Sequence, residues 1–247
     1  MHISLQAETL GTILGIPITN SLILSLLTAF LLVGGGFFVV FSLKVIPSRV
    51  QGSVEVVLGG ILSFMAQTLG SIEQAKKFFP LVATLFLFIL LNNWIGVLPG
   101  TGSIGFFDAQ NGKEVFVPFF RSANSDLNTT LALALISMVA IQLYGIRKLG
   151  LMRHVGKFIV LTKGPVHFFV GILETIGEFA KVLSFSFRLF GNVFAGEVLL
   201  IIMMTLIPVL VPFPFLLLEI FVGFIQALVF AMLTLVFLKI ATAEVEH

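Results

Sequence analysis

The sequence predicts an all-α integral membrane protein, on three observations. Of its 247 residues 58% are hydrophobic and 11% charged, with mean hydropathy +1.14, far outside the soluble globular range. Apolar runs at 20–43, 78–98 and 125–145 each match a hydrocarbon core of about 30 Å. The last two apolar segments, 164–207 and 214–243, are too long to stand upright in such a core: as helices they reach about 66 and 45 Å. The expected architecture is a single membrane domain, 1–247, with about five embedded helices and one interfacial helix.

Residues 1–19 read as a short exposed tail; no basic stretch precedes the first apolar run near Ile18, so no cleavable signal peptide is expected. The first span ends at Lys44, Pro47 and Arg49. Residues 53–77 mix Glu55, Gln67, Glu73, Gln74, Lys76 and Lys77 with apolar residues, the pattern of a helix lying at the interface. Pro99 and Gly100 close the second span, and 101–124 reads as a loop with a short hairpin at Asn111-Gly112. The third span is followed by Arg147, Lys148, Arg153, Lys157 and Lys163. Pro208, Pro212 and Pro214 mark a turn between the two long segments, which makes them an antiparallel, strongly tilted pair. A kinked upright span, hinged at Gly171, Gly177, Gly191 or Gly196, is the alternative for the first of them.

The positions of Lys and Arg set the orientation. None precedes the first span, whereas Lys44, Arg49, Lys76 and Lys77 follow it, and the loop after the third span is richer in them than the loop carrying Lys113 and Arg121. The amino terminus is expected outside and the carboxyl terminus inside. Basic residues at span edges form no patch for nucleic acid. With no cysteine, disulfides and thiolate chemistry are excluded, and His2, His154, His167 and His247 lack metal-ligand spacing, so neither metal nor cofactor is expected.

The informative residues are polar ones inside apolar helices. Arg188 has at least two apolar turns on either side, and a guanidinium at the bilayer centre costs about 2.5 to 17 kcal/mol with no escape by deprotonation. Such a residue is compensated by a carboxylate, a hydrated cavity or an ion path. At 100° per residue Lys181, Ser184, Arg188 and Asn192 share one face, with Gly191 and Ala195 beside them. Small residues bordering a polar stripe let another helix approach closely. Glu197 lies on nearly the opposite face, while Glu219 and Gln226, seven residues apart, face one way on the last helix. Carboxyls at membrane depth are natural proton carriers, and they also lock helices by hydrogen bonding. Glu174, Glu178 and Lys181 read equally as a solvated helix end. Asp126, Asn128 and Asn93, at the outer ends of spans, read equally as caps.

Two stretches, SFRLFGNVFAGE at 186–197 and LEIFVGFIQALVF at 218–230, resemble the signature of subunit a of F-type ATP synthases, the stationary membrane subunit beside the rotating proteolipid ring. LNNWIGVLP at 91–99 and SDLNTTLALAL at 125–135 extend the resemblance over most of the chain after about residue 78. It implies a bacterial cell-membrane protein that carries protons through two half-channels and catalyses no reaction itself. Its implied partners are the c-subunit ring, the peripheral-stalk b subunits, the rest of the complex and membrane lipid. By motif Arg188 corresponds to the ring-facing arginine, and Asn192, Glu197, Glu219 and Gln226 to the inlet half-channel. Ser184, Lys181 and Glu174 correspond to the cytoplasmic route, and Asp126 and Asn128 are further candidates for lining. Family members often place one glutamate and one histidine at the two inlet positions where this chain has Glu197 and Glu219. Some have aspartate at the position of Gly96. The chain shows neither the repeated halves of a secondary transporter nor an HExxH or serine-base set of an intramembrane protease. A phosphate-binding GxxxxGK[ST] loop is also absent, so ATP chemistry is expected elsewhere.

Overall fold

The computed structural model describes residues 7–13, 15–98, 100–101, 104–110, 113–152, 165–206 and 212–243. Six helices among them are long and apolar enough to cross a membrane: α1 Asn20–Phe41, α2 Arg49–Leu69, α3 Ile72–Val97, α4 Leu127–Leu149, α5 Pro165–Leu206 and α6 Pro212–Thr242. Phe30, Phe37, Phe38 and Phe41 of α1 are all exposed, and only Asn20, Ser21, Leu24 and Thr28 of that helix are buried. Such a surface would drive aggregation in water; in a bilayer it is the face that meets lipid.

The expected exposed tail is corrected in part, because Thr9–Ile13 (β1) and Ile16–Thr19 (β2) pair antiparallel across Gly15, whose φ of 82° is readily adopted by glycine. Thr19 caps α1, its Oγ1 accepting from Leu22 N at 3.2 Å. The single interfacial helix expected over 53–77 is also corrected. Gly70, at φ 74°, ends α2 in the left-handed conformation, and Ser71 caps α3 by accepting from Gln74 N at 3.4 Å. Glu73, Lys76 and Lys77 therefore belong to the start of α3, where Glu73 complements the helix dipole.

Strands β3 (Gly105–Gln110) and β4 (Lys113–Pro118) pair with Gln110 opposite Lys113, the register of a two-residue hairpin connection. The connecting Asn111 and Gly112 lie outside the described residues. A short 3₁₀ turn, Ala123–Ser125, leads to α4, which Asp126 caps and which Arg147 and Lys148 finish with charges suited to its carboxyl end. Arg153, Lys157, Lys163, His2, His154, His247 and Pro208 lie outside the described residues.

Helix α5 is unbroken over 42 residues, about 63 Å, and α6 over 31, about 46 Å. Their contacts run in opposite chain directions: Lys181 and Phe185 meet Phe237, Phe185 also meets Phe230, and Gly196 meets Glu219. The pair is therefore antiparallel, as the prolines between the segments indicated. The core lies where α3, α4, α5 and α6 converge, with Phe78, Phe86, Ile89, Met138, Leu189 and Leu235 buried in it. Inside it Ser137 and Thr234 share a hydrogen bond of 2.8 Å between α4 and α6, and Thr28 donates to Asn92 at 3.1 Å to hold α1 on α3. These three buried hydroxyls thus have partners, as a low-dielectric interior requires.

Candidate functional site

The two faces of α5 differ sharply around Arg188. Phe185, Leu189, Val193 and Gly196 turn inward and are buried, while Ser184, Arg188, Asn192 and Ala195 turn outward and are exposed. The Arg188 guanidinium donates through Nη2 to Ser184 Oγ at 3.2 Å, one turn earlier on the same face. It also shares a narrow cleft with Gln226 of α6, along with Phe185, Leu189 and Phe230. The expected polar stripe therefore holds for Ser184, Arg188 and Asn192. Lys181 departs from it: its ammonium pairs with Glu178 Oε1 at 2.6 Å and sits over the Phe237 ring at 4.8 Å. Gln142 Nε2 donates to the other Glu178 oxygen at 3.1 Å, so this cluster ties α4, α5 and α6 together. Glu174, a turn earlier, is exposed.

On the other side of α5 lies a carboxyl pair. Glu219 is buried, and its carboxyl group lies so close over Gly196 that a Cβ there would overlap it. Glu197 is the next residue, so the antiparallel packing brings the two predicted glutamates to one level. Gly196→Ala is expected to displace the Glu219 carboxyl, at a cost of about 1 to 3 kcal/mol of packing. Gly177→Ala, where an added Cβ meets nothing within 4 Å, is the matched control. Proton flux per assembled complex checks this: Gly196→Ala should lose most of it, and equal flux in both variants would refute the contact.

The sequence reading missed Arg121. It counted only as a loop charge on the outer side, yet its side chain is 8% exposed and its Nε reaches Glu197 Oε1 at 3.1 Å and Oε2 at 3.3 Å. The two residues are 76 apart in the chain, beyond any local pattern. One sequence signal was present in Gly96. A Cβ there would run into Ser122 Cα and Cβ, so glycine lets the loop lie directly on α3 and carry Arg121 inward. Asn124 Nδ2 then donates to Asn93 Oδ1 at 2.7 Å and to Ile89 O at 3.3 Å, and Asn93 Nδ2 donates to Gly223 O at 2.9 Å. Asn93 is thus a buried bridge between α3, the loop and α6. Asp126 accepts from Asn128 N and from Ser21 Oγ, both at 3.1 Å, so it caps α4 and ties α1 to it. The Asn128 side chain is exposed. Among the described residues no cluster of three or more His, Asp or Glu could hold a metal ion.

The sequence profile of the family described as ATP synthase A chain matches residues 22–239, a span that reaches all six long helices. The chain belongs to this family. It is 37% identical over 199 residues to ATP synthase subunit a of Geotalea daltonii, covering 80% of this chain and 76% of that one. ATP synthase subunit a of Geobacter sulfurreducens is 37% identical over 201 residues, with 80% and 76% covered. That of Campylobacter concisus is 35% identical over 208 residues, with 83% and 82% covered. As a subunit a, the chain is a multi-pass membrane protein of the ATP synthase that serves proton translocation in the membrane sector.

Proposed function

We propose that this subunit a is the stator of a rotary proton path, conducting protons through two offset half-channels to and from a c-subunit ring. The observation that carries the reading is Arg188, a permanent charge facing outward from the middle of a 42-residue apolar helix whose opposite face is packed. A ring carboxylate passing that face meets a cation that cannot lose its proton. It is held ionised there, and no proton crosses from one route to the other. The inlet runs from the outer side past Glu219 and Glu197 to Asn192 and Gln226. Ser122 Oγ and Asn124 Oδ1, buried without a hydrogen-bond partner among the described residues, supply unused acceptor capacity at its outer end. Asn128 borders the same end, while Asp126 acts there chiefly as a cap. On the cytoplasmic side Ser184, Lys181 and Glu174 flank the outlet.

In the ring-bound complex α5 and α6 tilt strongly, since neither fits upright within about 30 Å of hydrocarbon. The chain sits in a bacterial cell membrane with its amino terminus outside, held against the ring by peripheral-stalk b subunits. A membrane potential contributes about 2.3 kcal/mol per charge per 100 mV, so several protons are coupled to each ATP made in the rest of the complex.

Cross-linking tests the reading. A cysteine at Asn192 or Ser184 should form disulfides with cysteines on the ring's outer helices, whereas one at the buried Leu189 or Val193 should not. No cross-link from Asn192, or equal cross-linking from both faces, would dismiss the assignment of this face to the ring.

A further inference from the structure

We infer that Arg121 is a positioning residue of the inlet: it fixes Glu197 as one half of a permanent ion pair and leaves Glu219 as the carboxyl that carries the exchangeable proton. This rests on the inlet reading of the two glutamates given above. Arg121 is set in place from both sides in the chain. Before it, Pro118 closes the β3–β4 register opposite Gly105, and its carbonyl accepts from Asn20 Nδ2 at 3.4 Å. After it, Ser122 lies against Gly96, and Asn124 is held by Asn93 and Ile89. A guanidinium anchored in this way reaches Glu197 at 3.1 and 3.3 Å with its own side chain nearly buried.

The charges explain why such a residue is needed. Two carboxylates at one level repel each other when both are ionised, so the site calls for a compensating positive charge. A cation that never deprotonates cancels one of the two charges. The pair then behaves as one exchangeable site, Glu219, which lies over Gly196 on the α6 side. Two other carboxylates at this end, Asp126 and Glu8, are already engaged. Asp126 accepts from Ser21 and Asn128, and Glu8 accepts from Asn20 at 3.5 Å. From α3 the neighbouring group is Asn93, which is uncharged.

The test uses the whole ATP synthase reconstituted in vesicles, with gradient-driven ATP synthesis measured per assembled complex over a range of inlet-side pH. Arg121→Gln should lower the maximal rate by about 10-fold or more, with no rise in the inlet proton concentration giving half the maximal rate, because the proton is trapped and not missed. Arg121→Lys should keep at least about a third of the rate, since it keeps the charge while losing the fork. Adding Arg121→Gln to Glu197→Gln should cost nothing beyond Glu197→Gln alone, the signature of one shared interaction. If Arg121→Gln fails to assemble, that last comparison decides, because the double variant leaves neither charge unpaired. A rate within about 2-fold of parental for Arg121→Gln, beside an impaired Glu197→Gln, would overturn the role of Arg121 and leave the inlet reading standing. Losses that multiply in the double variant would overturn it as well. Parental rates for both Glu197→Gln and Glu219→Gln would overturn the inlet reading itself, and this inference with it.

Discussion

Arg188→Ala should abolish proton-driven ATP synthesis, by at least about 100-fold, equivalent to about 2.7 kcal/mol in the barrier, while the complex still assembles. Both halves of this expectation come from the geometry. The side chain is exposed on the outer face of α5 and hydrogen-bonds to Ser184, so its removal opens no cavity among the described residues. On the proposed reading, what disappears is the fixed charge between the two routes. A ring carboxylate then keeps its proton as it passes, and protons cross from inlet to outlet without turning the ring. Synthesis should stop, and the vesicles should leak protons. Arg188→Lys should fail nearly as badly, because a desolvated ammonium sheds its proton and lacks the planar fork. Quantified complex on a native gel, ATP synthesis and passive proton leak are the measurements. Normal synthesis in an assembled Arg188→Ala complex would remove the basis for the stator reading.

The long helices and their polar residues were legible in the sequence because each signal is local. Helix length against bilayer thickness needs only a count of apolar residues, and Arg188 stands out because its own neighbours are apolar. The antiparallel pairing of the two long helices followed from their lengths and the proline-marked turn between them, whereas the seating of Glu219 on Gly196 did not. The break at Gly70 was harder to see. It depends on a left-handed backbone angle, and a glycine among apolar residues does not declare one until the chain turns. Charges at the start of α3 then blurred into the preceding helix and gave the appearance of one mixed interfacial segment. Lys181 satisfied the 100° rule yet left the stripe, since a long flexible side chain follows its nearest partners, here Glu178 and the Phe237 ring. Arg121 was out of reach for a different reason: its partner is 76 residues away, and only the folded loop shows that an apparent surface charge is buried.

The carboxyl pair gives the second large effect. Glu219→Gln and Glu197→Gln should each slow proton uptake from the outer side, for different physical reasons. Glu219 is buried over Gly196, and an amide of the same shape packs there but cannot act as an acid or base near neutral pH, so the proposed inlet loses its relay while the fold stays intact. The expected fall is about 10- to 100-fold, within the range of a lost acid-base group. Glu197→Gln instead replaces the carboxylate that the nearly buried Arg121 reaches with a neutral amide, which weakens that contact. Breaking a fully buried pair costs about 3 to 5 kcal/mol, and the partial exposure of Glu197 lowers that cost. This variant should therefore lose assembled complex as well as rate, and the two effects separate when flux is normalised to complex. Glu219→His should restore part of the flux lost in Glu219→Gln, because imidazole also takes up and releases protons near neutral pH. The deciding measurement is proton flux in reconstituted vesicles against the pH of the outer side. If both glutamine variants and their combination kept the parental rate and pH profile, protons would have to reach the ring by a route that avoids this pair, although Arg188 could still separate inlet from outlet.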